Sequence, residues 1–251
     1  MSYVSVVMAV YNGERFLRQQ VDSVLNELLP GDELIIIDDA STDASFTLLE
    51  GISSPALQIY TNPSNLGVIG SFERGLQIAA HEFIFLCDQD DVWLPGKRAA
   101  FVAAFEQDPT VSVVISDAQV IDAQGQLSAQ SFMATRGGFN GSVYATVWRN
   151  RYLGCAMALH RSLLELALPI PPQVPMHDMW FGAIGSVTGK VVYIPKPFLQ
   201  YRRHTGNVSP SRRQSLPKMI RWRIDLLFAL CIRMLSNRFG FHGKESVSVR
   251  Y

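Results

Sequence analysis

Three carboxylates crowd into four residues at Asp88-Gln89-Asp90-Asp91. Like charges so close repel one another, and a cation relieves the repulsion. Oxygen-only ligands select Mg²⁺ or Mn²⁺, which also take substrate phosphates into their coordination shell. The same string reads equally as a solvated turn in which Asp91 caps the next helix. A second acidic string, Asp38-Asp39-Ala40-Ser41-Thr42-Asp43, offers a carboxylate to a base or ribose, or else is a loop with Ser41 or Thr42 as a helix cap. Asp178, in Met176-His177-Asp178-Met179-Trp180, is a lone acid among apolar side chains at a helix start. Apolar surroundings raise a carboxylate's pKa and suit it to accept a proton, although an N-cap role explains the residue as well. His204 closes Tyr201-Arg202-Arg203-His204 and is either a metal ligand or a structural histidine.

Strands that alternate with helices must position these groups. Val4 to Val10, Leu34 to Ile37, Leu57 to Tyr60 and Phe83 to Cys87 are apolar runs of strand length. Between them, Glu14 to Leu29, Asp43 to Glu50 and Gly70 to Ala80 carry helical spacing. Alternation of this kind means crossovers and a mainly parallel sheet, with ligands bound beyond the carboxyl ends of its strands. The second and fourth strands run straight into the two acidic strings, so both strings are expected at one sheet edge. Further on, a helix from Lys97 to Phe105 leads to a strand from Val111 to Ile115. Residues 123–142 read as a long loop. After it come a strand (Cys155 to Leu159), a helix (Arg161 to Leu168) and a Pro-rich turn. A helix near Asp178 to Ser186 and separate strands at Val191 to Ile194 and Phe198 to Tyr201 follow. Residues 206–217 read as a linker and Lys218 to Phe239 as a separate basic helix.

The 251 residues are 48% apolar and 18% charged, which excludes disorder as the main state. The apolar run Leu226 to Ile232 is far short of the roughly 20 residues a bilayer span needs. No secretion signal is evident at the start, and three scattered cysteines write neither a disulfide framework nor a thiolate zinc site, so a cytoplasmic protein is expected. The net charge of zero hides an asymmetry: residues 196–251 hold twelve Lys/Arg against two acidic side chains. That bias points to an anionic surface or ligand near the C-terminal quarter. Tyr11-Asn12-Gly13-Glu14 lacks the glycines of a dinucleotide loop, and no phosphate-cradling G-x-x-x-x-G-K-[ST] is present, which removes the main support for hydride transfer and P-loop chemistry.

Taken in order, Ser5 to Gly13, Ile35 to Asp43, Asn65-Leu66-Gly67, Cys87 to Pro95, His177 to Trp180 and Tyr201 to His204 resemble family 2 glycosyltransferases, over about residues 3 to 208. The resemblance implies an α/β GT-A fold: a Rossmann-like, mostly parallel mixed sheet flanked by helices, here with a C-terminal basic amphipathic helix. It implies a glycosyltransferase domain over 1–205, with a nucleotide-sugar half (1–117) and an acceptor half (118–205), followed by the linker and helix over 206–251. By motif, Ala9, Tyr11, Asp38, Asp39, Asn65 and Asp88 would bind the nucleotide-sugar, with Tyr11 and Asp39 at the base and Asp88 at the ribose. Asp90 and His204 would hold Mn²⁺ or Mg²⁺, with Asp88 and Asp91 as second-choice ligands, and Asp178 would be the catalytic base. His-Asp stands here where many members have Glu-Asp, and the Asp-Gln-Asp-Asp-Val-Trp string is similar to rhamnosyltransferase-like members.

The implied reaction is inverting transfer of one hexosyl or deoxyhexosyl unit from a UDP- or dTDP-linked sugar to a glycan or polyprenyl-linked acceptor in cell-surface polysaccharide synthesis. No nucleic-acid partner is expected. The alternatives are a catalytically silent nucleotide-sugar or carbohydrate-binding module and a nucleotidyltransferase on a similar sheet. The C-terminal helix, apolar and basic with Trp222 near its start, is expected either to lie on an anionic membrane at the cytoplasmic face or to pack on protein.

Overall fold

The computed structural model describes residues 2–148, 150–207 and 215–238. β1 (Val4–Val10) is an almost wholly buried apolar run, as a central strand covered on both faces must be. α1 (Glu14–Leu25) returns along it, burying Leu17, Gln20, Val21 and Val24 at helical spacing, and β2 (Glu33–Asp38) follows. α2 (Ser45–Glu50), β3 (Leu57–Thr61), α3 (Gly67–Ile78) and β4 (Phe83–Cys87) complete the expected alternation. Then come β5 (Val92–Trp93), α4 (Lys97–Gln107), β6 (Val111–Ile121), β7 (Leu127–Ala129), α5 (Phe132–Thr135) and α6 (Val143–Trp148). β8 (Met157–His160), α7 (Arg161–Ala167), α8 (His177–Thr188), β9 (Lys190–Arg202) and α9 (Leu216–Arg238) follow.

Among the described residues the strands form one sheet in the order β3-β2-β1-β4-β8-β6-β9-β5, with β7 paired to β6. β3, β2, β1 and β4 are mutually parallel. β8 runs antiparallel to both β4 and β6, and these two reversals restore the direction, so β6 and its parallel neighbour β9 point the same way as β1. The carboxyl ends of β1, β2, β4 and β9 therefore share one edge. Strand order reverses between β1 and β4, since β2 and β3 lie to one side of β1 and β4 to the other. Such a switch point opens a crevice at that edge.

Three expectations need correction. Residues 123–142 are not one loop: Ser131 caps α5 through the Ala134 amide, and buried Asp117 at the end region of β6 accepts bonds from the Met133 amide and the Ser131 hydroxyl. The strand expected over Cys155 to Leu159 begins only at Met157, because Gly154–Ala156 form a 3₁₀ turn. The two strands expected around Pro195 and Pro197 are one strand, whose ladder with β6 absorbs the prolines at register shifts.

The basic helix is not separate either. α9 buries Leu226, Ala229 and Leu230, and Arg233 donates to the carbonyls of Leu166 and Leu168 (3.0 and 2.6 Å). Within the described residues no helix is long and apolar enough to cross a membrane. Most of the expected linker and the residues after Arg238 lie outside the described residues.

Candidate active site

The crevice is a cavity of about 510 Å³ walled by the loops after β1, β2 and β4, the Gly154 turn, the start of α8 and the segment after β9. Its wall includes Ala9, Tyr11, Asp39, Asn65, Asp88, Asp90 and Asp178, residues scattered over 170 positions of sequence. Asp38, Asp91 and His204 are not among its lining residues.

The loops are held by side chains that sequence reasoning left unassigned. Gln89 accepts from the Tyr11 amide (2.8 Å) and donates to the Tyr11 carbonyl (3.1 Å), clamping the β1 loop to the β4 loop. Gly13 permits this approach, because a Cβ there would sit 2.5 Å from the Gln89 oxygen. Tyr11 itself stays 45% exposed, so its ring is available to a ligand face. Two non-glycine residues, Asn12 (φ 49°) and Ala40 (φ 59°), take left-handed backbone at the ends of β1 and β2. This conformation costs of order 1–2 kcal/mol and concentrates at functional turns.

Asp39 has a defined task. One of its oxygens accepts from the Asn62 amide group and the Leu66 backbone amide (both 2.7 Å), the other from the Gly67 amide (2.8 Å). It thereby fixes the Asn65–Gly67 corner as cavity wall. Asp38 is buried, with one oxygen 3.3 Å from the Ser41 amide and the other without a partner among the described residues. Neither Ser41 nor Thr42 caps α2; Asp43 accepts the Ser45 amide there.

The three acids of the Asp88 string part company. Asp88 and Asp90 line the cavity, whereas Asp91 is fully buried and accepts the Arg202 amide at 2.9 Å, bonding the turn to β9. Asp91 is therefore no helix cap; the N-cap of α4 is Gly96. Arg202 also donates to the Asp90 carbonyl (2.9 Å), locking the turn's backbone. The Asp90 carboxylate meets His204 Nε2 at 2.7 Å and the Asn207 side-chain amide at 3.0 Å. Burial, followed by the charge of Asp90, pushes both Asp88 and Asp91 above the ordinary carboxylate range.

Among the described residues, two groupings offer donors for a cation. Asp88, Asp91 and Cys155 bring ligand atoms within 4.8 Å of one another. The Cys155 thiol is fully buried and burial pushes its pKa well up, so it is a poor partner for a hard cation. Asp90 with His204, beside Asp88 in the cavity wall, offers oxygen and imidazole donors and fits Mn²⁺ or Mg²⁺ better.

Also in the cavity lining, Asp178 sits in the first turn of α8, whose N-cap is Met176. The N-cap reading of Asp178 is thus replaced. Its carboxylate accepts from the Met179 amide (2.6 Å) and from Asn150 Nδ2, 3.3 Å from each oxygen. Burial raises its pKa to about 6 against the pull of those bonds. Asn150 gave no sequence signal, since a lone Asn in a polar stretch has no spacing to read. His177 is buried, its ring centre 4.3 Å from that of Phe72 and tilted by 30°, and neither ring nitrogen has a partner among the described residues. Burial lowers its pKa to about 4, so it is neutral at physiological pH. Beneath the floor, Lys97 Nζ donates to the Cys155 carbonyl (2.7 Å) over the Trp93 ring and supplies buried positive charge near Asp88 and Asp91.

A crevice lined by Tyr11, Tyr201, Asp88, Asp90 and Asp178 has the groups to take a phosphorylated ligand with a cation and to deprotonate a hydroxyl. Residues 5–166 match the family described as glycosyl transferase family 2. A Nostoc sp. protein described as an uncharacterized glycosyltransferase is 27% identical over 215 residues, covering 81% of this chain and 66% of that one. The chain spans between 37% and 66% of the length of curated glycosyltransferases it matches. Among solved structures, S. aureus TarS (residues 1–349) in complex with UDP-GlcNAc is similar with a TM-score of 0.70 at 17% identity, over 94% of this chain and 67% of that one. Mannosyltransferase PcManGT from Pyrobaculum calidifontis, in complex with GDP-Man and Mn²⁺, gives a TM-score of 0.62 at 15% identity, over 94% and 74%. These likenesses establish the GT-A type of fold.

Proposed function

The chain belongs to glycosyl transferase family 2, and from that premise we propose that it moves one sugar from a nucleoside-diphosphate sugar to an acceptor hydroxyl with inversion. The observation that carries this reading is the convergence of Asp88, Asp90 and the buried, hydrogen-bonded Asp178 on a single cavity. We read residues 1–117 as the donor half, with Tyr11 against the base, Asp39 and Asn65 shaping its slot, Ala9 in the floor and Asp88 at the ribose. Asp38 supports the loop from behind. Residues 118–205 supply the acceptor side, and 206–251 the linker and helix.

Asp90, backed by His204 and flanked by Asp88, would hold the divalent cation. When bound, that ion supplies positive charge to the diphosphate that leaves. The rest belongs to the chain's own groups. Asp178 takes the acceptor's hydroxyl proton as the new oxygen–carbon bond forms and the bond from the anomeric carbon to the phosphate oxygen breaks. Asn150 and the Met179 amide hold the carboxylate in place for that transfer. A single displacement needs no enzyme nucleophile. The donor is a UDP- or dTDP-sugar, and the acceptor a glycan or polyprenyl-linked glycan in cell-surface polysaccharide synthesis at the cytoplasmic face of the membrane.

A thermal-shift screen of nucleotide-sugars with Mn²⁺ tests the binding step. A ligand present at a hundred times its Kd should stabilise the fold by about 2.7 kcal/mol. The absence of a shift with any nucleoside-diphosphate sugar would count against the donor reading. A shift without turnover in the presence of glycan acceptors would favour a silent binding module.

A further inference from the structure

We propose that the outer face of α9 is a docking surface for an anionic lipid bilayer. One side of this helix is committed to the protein: Leu226, Ala229 and Leu230 are buried, and Arg233 is tied to the Leu166, Leu168 and Pro169 carbonyls beside the Trp180 ring. At 3.6 residues per turn, Leu216, Ile220, Ile224, Leu227, Phe228 and Ile232 fall on the other side, and each is 43–64% exposed. A contiguous apolar stripe along a helix of about 34 Å is far more than the scattered exposed side chains a soluble surface carries. Its first turns form an apolar groove between Leu216, Pro217, Ile220, Arg221 and Ile224.

Charge selects the occupant. Lys218, Arg221 and Arg223 border the stripe, and the acid on this part of the helix, Asp225, is engaged with Arg221 at 3.7 Å. Along this part of the helix Lys218, Arg221 and Arg223 outnumber the single acid Asp225. A second copy seated face to face would set this basic excess against itself, because an isologous two-fold interface presents the same patch on both sides. An anionic leaflet accepts both features: apolar side chains enter the acyl boundary and the basic side chains meet the headgroups. The helix cannot span the bilayer, so it lies in the surface plane. The inference rests on the transferase reading only for its purpose, the delivery of a lipid-linked acceptor to the cavity.

Flotation of the full chain with vesicles tests it. On vesicles of 30% phosphatidylglycerol in phosphatidylcholine at low salt, the protein should float. The bound fraction should fall at least tenfold on pure phosphatidylcholine, and it should fall on adding salt. I224E/F228E, which alters two exposed side chains, should lose at least tenfold in binding while its nucleotide-sugar thermal shift stays as in the parent. Equal flotation of parent and variant, equal binding to neutral vesicles, or no flotation of the parent would overturn the proposal. So would a dimer in sedimentation equilibrium that I224E/F228E dissolves while the parent ignores vesicles, which would assign the face to a second copy. Loss of the nucleotide-sugar shift in the parent bears on the donor reading alone.

Discussion

Asp178 combines burial, which favours its neutral form, with two hydrogen bonds that favour the anion, and the balance leaves a pKa of about 6. Near neutral pH such a group is mostly ionised yet basic enough to take a proton. Asp178→Asn keeps the shape and removes the basicity, so kcat should fall by roughly 10² or more with donor affinity retained. Loss of donor affinity with turnover kept would make Asp178 a binding residue. Because the base works deprotonated, kcat should climb as pH rises through about 6 and fall off below it. Asn150 stabilises the anion, so Asn150→Ala should move that ascending limb to higher pH; an unmoved limb in a pH–rate profile would place the base elsewhere. The sequence exposed Asp178 because an acid among Met, Trp and Phe is anomalous. It could not separate base from cap, since that depends on Met176 being the residue where the helix begins.

Elements turn these residues into a site by holding loops together. The Gln89–Tyr11 pair joins the ends of β1 and β4 by two reciprocal bonds. With each bond contributing about 0.5–1.5 kcal/mol, Gln89→Ala should raise donor KM about tenfold and change kcat much less. A KM within twofold of the parent in steady-state kinetics would remove this clamp from donor binding. Periodicity made the first βα units legible, because apolar runs such as Ile35–Ile37 and helical spacings such as Leu17, Val21 and Val24 carry strong signals. β5 is two residues long and carries no period at all. β7 and α5 depend on Asp117 and Ser131 meeting across the chain, a tertiary contact that local pattern does not contain. On α9, sequence showed an apolar and basic helix but not which side faces protein. Leu226→Ala should therefore cost about 2–5 kcal/mol in denaturant unfolding, as buried Leu truncations do. Ile224→Ala, on the exposed side, should stay within about 0.5 kcal/mol. Equal costs would mean the assigned packing face is wrong.

At the scale of the whole molecule, the mixed sheet explains why acids so far apart in sequence share a cavity. β1, β2, β4 and β9 all point to one edge, and the start of α8 brings Asp178 into the same cavity. The sequence order of motifs and the strand alternation made this edge predictable. The division of labour among Asp88, Asp90 and Asp91 was not, because it depends on Arg202 arriving from β9 to bind the Asp91 carboxylate and the Asp90 carbonyl. The proposed reading puts a nucleoside-diphosphate sugar and a divalent cation at Asp88 and Asp90 and gives proton removal to Asp178. Nucleoside-diphosphate release should therefore be followed for UDP- and dTDP-sugars with glycan acceptor, in Mn²⁺ and in excess chelator, for the parent, Asp90→Ala and Asp178→Asn. The expected result is acceptor-dependent release that chelation abolishes, that Mn²⁺ restores, and that both variants lose by roughly 10² or more. Release at the parent's rate from Asp90→Ala in chelator, or from Asp178→Asn with Mn²⁺, would contradict it.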